Sequence, residues 1–511
     1  MRIITLFFFA ALFLLLKPSV LESSSLWYQD DDYDYFAHAS SIAYGQFPHY
    51  DKEFFTNKGL PLGAVGSGIL AAPFVFTFSL IDRVTHQEIV RQRTHDNVLH
   101  SWSLYGFIVS TIFYFWLGCA FLYRGLRFHF PCAIACWTIL LMIFAQGLPL
   151  FAFRRPMFSH IYEFFLQSIM IYFFLKSFKM NWTWKDFSWG QIVLIGAVCG
   201  LITLVRYNNL LISLTWPLIL TRATWADLKN SRFFTYLGAI FGIALLMIAF
   251  FKMWPGVFVA DQAAYLSDGS SAIQRLGHFQ SPVFYLKRLL YVFLGLDWGL
   301  LYTAPLACLG LVCLIRPQGE INRKILWLLA PLLINLYCIL SWNSQGGWYG
   351  YRYIIASLFP LLLYPLAWKL ESIQQLPQRS WIYFCLILIA AFPILSMFCF
   401  EASGGGFTLY FYNEAGWSNL TFQHQIWKTF LFKPSVILEA WLTAGPTYIL
   451  YLIKNALHWM HLSVKPYVDE YADFNPVTLI KMSFLYVMPF LLYAIGKYFD
   501  QHSSASVQEN E

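Results

Sequence analysis

The chain has 511 residues, of which 58% are hydrophobic, 20% aromatic and 12% charged. That balance excludes a water-soluble enzyme, and the formal net charge of +7 is no nucleic-acid signal, because lysines and arginines are scattered between apolar runs rather than gathered in stripes. Several apolar runs reach the roughly 20 residues needed to cross a hydrocarbon core, so the expected fold is an all-α polytopic transmembrane protein with about twelve spans.

In chain order, residues 3–16 follow Arg2 as the first apolar run. The region 20–25 has no small-x-small cleavage site, and Lys17 and Pro18 interrupt it, so we read an uncleaved first span with its amino end in the cytoplasm. Residues 29–99 then form a first external loop. It opens with Asp30, Asp31, Asp32 and Asp34, carboxylates that have to sit in water or in a polar cavity. If residues 31–45 are helical, Asp31, Tyr35, His38 and Ile42 share a face, with Asp34 and Ser41 alongside. Two readings stay open: an acidic solvated cap, or a general base held at the membrane face.

Residues 59–81 are long enough to span, but their glycines and prolines predict a broken helix. We place them as a re-entrant or interface segment; a true span would put Arg83, Arg91 and Arg93 inside. The later loops, read by their positive charge, favour the first placement. Residues 101–123 enter, 132–148 leave, and 151–160 lie outside. Residues 161–175 return, and 191–205 with 210–220 form two short spans hinged at Arg206, Tyr207, Asn208 and Asn209. Further crossings carry the chain to an external segment at 342–353 and back through 354–368 and 381–400. Residues 1–400 form the transmembrane module, 401–475 a small external subdomain, 476–498 the last span and 499–511 a disordered tail. The nine cysteines all fall in apolar segments and read as small core residues.

Arg154, Arg155, Arg206, Arg275, Lys287, Arg288 and Arg352 all fall at expected external ends of spans, where cations are normally depleted. An excess there asks for an anionic partner, and the guanidinium fork suits phosphate. Headgroup snorkelling explains Lys287 and Arg288 as well. Trp342, Trp348, Tyr349 and Tyr351 fit either sugar stacking or an interfacial aromatic belt. No phosphate-cradling glycine loop, dinucleotide fingerprint or HExxH is present.

The acidic stretch resembles the first external loop of lipid-donor glycosyltransferases of the GT-C superfamily, which include protein mannosyltransferases, the aminoarabinose transferase of lipid A and the RgtA/B/C/D-like transferases. The positions that carry the resemblance are Asp31, Asp32, Tyr35, Ala39 and Gly45, followed by NKGLPLGAVGSGILAAPF at 57–74, PMFSH at 156–160 and GGWYGYR at 346–352. It runs from the first span to about Trp368. One departure is that several such enzymes carry a second Asp after the third span, where this chain has Arg154, Arg155, Ser159 and His160, then Glu163.

The resemblance implies transfer of a sugar from a polyprenyl-phosphate donor to a hydroxyl of a glycan, lipid or protein acceptor, on the outer face of a bacterial cytoplasmic membrane. Asp31 is then the expected base with Asp32 orienting it, in either order. Arg352, Arg155 and Arg206 would hold the donor phosphate, and Tyr35, His160, Trp348 and Tyr351 the rest of the substrate. A divalent metal beside Asp31 and Asp32 is left open. The competing readings are a transporter or flippase of a lipid-linked or anionic solute, which calls for two repeat-related halves, and a polysaccharide polymerase or ligase.

Overall fold

Apolar chain in hydrocarbon has to satisfy its own backbone, and this one does so with helices. The computed structural model describes residues 2–16, 31–47, 50, 64–85, 101–220, 229–252, 282–295, 299–315, 319–342, 352–402, 428, 431–432, 434–435, 460 and 476–508, with Asp31 and Asp32 described as backbone alone. No strand occurs among them, and the protein is an all-α polytopic membrane protein. The helices used below are α1 (Arg2–Leu15), α2 (Asp31–Ala43), α3 (Val65–Val84), α4 (Trp102–Arg127), α5 (Cys132–Ile139), α6 (His160–Lys179), α7 (Trp189–Val205), α8 (Leu210–Ile219), α9 (Ser231–Lys252), α10 (Pro282–Leu294), α11 (Pro305–Ile315), α12 (Glu320–Trp342), α13 (Arg352–Gln374), α14 (Arg379–Ala402) and α15 (Pro476–Gln508). Among the described residues six helices are long and apolar enough to cross a membrane: α3, α4, α6, α9, α13 and α14. Five shorter apolar helices accompany them.

Side-chain pairs fix the directions. Ser110 bonds Tyr162, Tyr114 packs on Phe165 and Phe121 on Tyr172, so α4 and α6 run parallel. Helix α3 opposes them: Phe78 meets Trp102 and Tyr105, Phe74 meets Phe113, and the Tyr114 hydroxyl donates to the Leu70 carbonyl. Helix α1 opposes α15 through Arg2 with Tyr493 and Phe13 with Tyr486. Helix α15 meets the start of α4 where the Tyr105 hydroxyl donates to the Lys481 carbonyl, and Phe8 of α1 packs deeper, on Phe115. Both α1 and α3 therefore point toward the Trp102 end of α4. Consecutive crossings would alternate; α3 does not follow α1 as the next one.

Two expectations change. The segment 59–81 was expected to be broken, yet α3 is continuous through Gly66, Gly68 and Pro73. The helix begins only after the Gly-Pro run, and its two glycines serve close packing. A Cβ on Gly66 would collide with the Val205 nitrogen, and one on Gly68 would come within 2.5 Å of the His38 Cβ. The segment 151–160 is buried within the protein throughout, because π-helical turns at Leu140–Phe144 and Leu150–Arg154 fold the α5–α6 connection into the bundle. At the carboxyl end, α15 runs on to Gln508, past the expected boundary at 498, since no Gly or Pro intervenes after Gly496 to stop it. Of the cysteines, Cys132 is exposed at the start of α5 rather than packed inside. The expected subdomain at 401–475 lies almost wholly outside the described residues.

Candidate functional site

Polar side chains buried in a bundle have to find one another, because each unpaired one costs a few kcal/mol. Here they converge where α6, α8 and α13 begin and α7 ends. Glu163, in the first turn of α6, is fully buried and pairs with Arg206 at 3.4 Å. The Asn209 amide donates to its other oxygen at 2.7 Å. Arg206 Nη1 also reaches the carbonyl of Arg352 at 3.5 Å. The Asn335 side-chain amide of α12 donates to the Asn209 side-chain oxygen Oδ1 at 3.4 Å. The Arg352 guanidinium lies 5.5 Å over the Phe158 ring, a cation–π distance.

The local sequence explains why these groups meet. The chain breaks between α7 and α8 at the expected hinge, where a single 3-10 turn over Tyr207–Asn209 turns α8 back alongside α6. Trp216 then donates to Gln167 at 2.9 Å and Ser177 to the Leu220 carbonyl at 2.6 Å, which sets α8 parallel to α6. Helices α6, α8 and α13 thus aim their amino ends, with their partial positive charge, at one place. Because Tyr162 lies opposite Ser110, the cluster sits roughly 12 Å along α4 from Trp102 at 1.5 Å per residue.

His160 packs between Phe151, 4.5 Å away, and Phe158, stacked at 6.0 Å. Both Arg206 and Arg352 are close enough to act on it electrostatically, and its buried Nδ1 has no hydrogen-bond partner among the described residues. Arg154 and Arg155 are buried in the adjoining π-turn, and the Arg155 carbonyl accepts from Phe158 N.

The expected donor-binding residues Arg206 and Arg352, with His160, are therefore brought together from three distant stretches, and Arg155 lies three residues from Phe158 on the same segment. Tyr35 is buried in the apolar core. Helix α2, which carries Asp31 and Asp32, abuts the first turn of α3 at Gly68, and that same turn abuts the end of α7 at Gly66. One turn of α3 thus links the acidic helix to the residue before Arg206. Trp348 and Tyr351 lie outside the described residues, as do the side chains of Asp31 and Asp32, on which the metal question falls. Elsewhere, no three His, Cys, Asp or Glu residues gather as metal ligands among the described residues.

Sequence reasoning left Glu163, Asn335 and Phe158 without a role and gave Asn209 only a place in the hinge. An acid inside an apolar span was the available signal for Glu163; the neutral amides gave none.

No family model matches the chain, and no curated protein does either. Among solved structures, the chain is similar to the apo form of the Archaeoglobus fulgidus oligosaccharyltransferase, at 14% identity and a TM-score of 0.37, over 93% of this chain and 61% of that one. The chain thus spans less than two thirds of that protein's length.

Proposed function

We propose that the protein is a membrane glycosyltransferase that moves a sugar from a polyprenyl-phosphate donor to an acceptor hydroxyl. The observation that carries this reading is the meeting of Arg206 and Arg352 with the amino ends of three helices, next to the turn of α3 on which the acidic helix packs. Departure of a lipid phosphate leaves negative charge on its oxygens, and fixed guanidinium groups and helix dipoles lower the barrier to that departure. In the step proposed, the acceptor oxygen attacks the anomeric carbon while Asp31, oriented by Asp32, takes the hydroxyl proton. The bond to the phosphate oxygen breaks, and its electron pair stays with the phosphate held by Arg206, Arg352 and Arg155. His160, Tyr35, Trp348 and Tyr351 are assigned to the sugar and lipid. The resemblance of the acidic loop and the PMFSH and GGWYGYR segments supports the same assignment. Active residence on the outer face of a bacterial cytoplasmic membrane belongs to this reading.

The α7–α8 break at Arg206 also fits a transporter, where discontinuous helices hold the solute. Transfer of labelled sugar from a polyprenyl-phosphate donor in membranes separates the two. The intact protein is expected to transfer and Asp31→Asn to lose most of that activity. Undiminished transfer by the variant removes Asp31 as base; ATP-independent uptake of the donor into proteoliposomes without transfer would favour the transporter.

A further inference from the structure

We infer that Glu163 is a positioning residue: it fixes where the Arg206 charge sits, at the centre of a relay that runs from Asn335 through Asn209 to Arg206 and the first residue of α13. The inference rests on the donor-phosphate reading for its purpose and on geometry alone for its existence.

A carboxylate buried in a helical bundle is costly, and breaking its pairing costs more than replacing the whole pair with apolar residues would. Packing alone therefore gives no reason for Glu163. Its two oxygens do different work. Oε1 is held at 2.7 Å by Asn209, whose own amide is oriented by Asn335 from α12. Oε2 meets one nitrogen of Arg206 at 3.4 Å, and that same nitrogen reaches the Arg352 carbonyl at 3.5 Å. The carboxylate is thus anchored on one side and sets a cation on the other. Arg206 keeps 12% of its side-chain surface exposed while Glu163 keeps none, so the cation is the member of the pair that faces outward. Four elements, α6, the α7–α8 hinge, α12 and α13, meet through this one acid.

The test has two arms. In the ligand-free protein in detergent, arginine modification by phenylglyoxal is followed by peptide mass spectrometry. Glu163→Gln is expected to raise the modification rate of Arg206 by at least roughly threefold, the factor for losing one modest hydrogen bond, with Arg124 at the far end of α4 unchanged as control. Asn335→Leu, which leaves the charge in place, is expected to raise it less. Equal rates at Arg206 in both variants and the wild type overturn the relay, and so does a rise shared equally by Arg124, which marks general loosening. Should Glu163→Gln fail to fold, Asn335→Leu decides alone.

In the second arm, binding of citronellyl phosphate is measured on wild type, Arg206→Ala and Glu163→Gln. A loss of roughly tenfold in both variants is expected for a misplaced charge-assisted contact. Loss in Arg206→Ala but not in Glu163→Gln overturns the relay and leaves the donor reading standing. No loss in Arg206→Ala overturns the donor-phosphate role of Arg206, and the modification rates then judge the relay.

Discussion

Asp82 caps α4 from outside it: its carboxylate accepts from the Trp102 and Ser103 backbone nitrogens at 2.8 Å each, and from the Ser103 hydroxyl. Ser103 in turn accepts from Tyr44, at the end of the acidic helix, at 2.8 Å. Two helix-start donors that α4 cannot satisfy internally are met by a side chain from α3. Replacing Asp82 with Ala is expected to lower unfolding free energy by about 2–4 kcal/mol, since it strands buried donors that a charged acceptor had satisfied. Thermal unfolding in micelles measures this, and a midpoint unchanged within error would remove the capping role.

Gly66 offers a test of how the acidic helix is placed. Its Cβ position is filled by the backbone of Leu204 and Val205, which neither neighbour can vacate by rotating a side chain. Gly66→Val is expected to cost about 1–3 kcal/mol or more by overpacking. It should also cut sugar transfer more than its loss of stability explains, by moving the α7–α8 hinge away from α3. Transfer rates measured well below the unfolding midpoint separate the two effects.

Arg352 tests phosphate recognition. Lys at this position keeps the charge but loses the planar fork and the stacking on Phe158. Arg352→Lys is expected to raise the donor KM by roughly tenfold, the equivalent of one charge-assisted bond, and Arg352→Ala by more. An unchanged KM in both would move the phosphate elsewhere.

His129 gives a pH dependence at the other end of α4. Its ring bonds the Leu175 carbonyl at 2.9 Å and packs on Tyr364. Burial lowers its pKa from the ordinary 6.5, outweighing the opposing effect of the Leu175 bond, and nearby Lys179 lowers it further. With the folded value below the unfolded one, the unfolded chain binds the proton more readily, so stability holds above about pH 6.5 and falls as pH drops below it. His129→Gln should flatten that fall. Unfolding midpoints at pH 7.5, 6.0 and 5.0 check it; parallel curves for the two proteins would contradict it.

Much of the helical framework was legible because lipid leaves apolar chain so few options. The hinge at Arg206 could be read from four polar residues between two short apolar runs, and α2 from the spacing of Asp31, Tyr35, His38 and Ile42. Glycine and proline read as helix breakers in the sequence of α3, while in the fold Gly66 and Gly68 admit two other backbones. The burial of Arg154 and Arg155 was not legible, because hydropathy counts arginines as surface. In the site, charge excess singled out Arg206 and Arg352. Asn209 and Asn335 carry no charge and no spacing rule; their bonds to Glu163 and to each other exist only once the helices meet.

The contact between Arg2 and Tyr493 has a consequence for synthesis. The two residues are 491 apart in the chain, so α1 waits for the synthesis of everything between them before α15 arrives to cover the Phe9–Phe13 side. Until then that aromatic face is open to lipid or to an insertion chaperone. Chains cut short before residue 476 would keep it open for good, marked for quality control however sound the rest of the bundle.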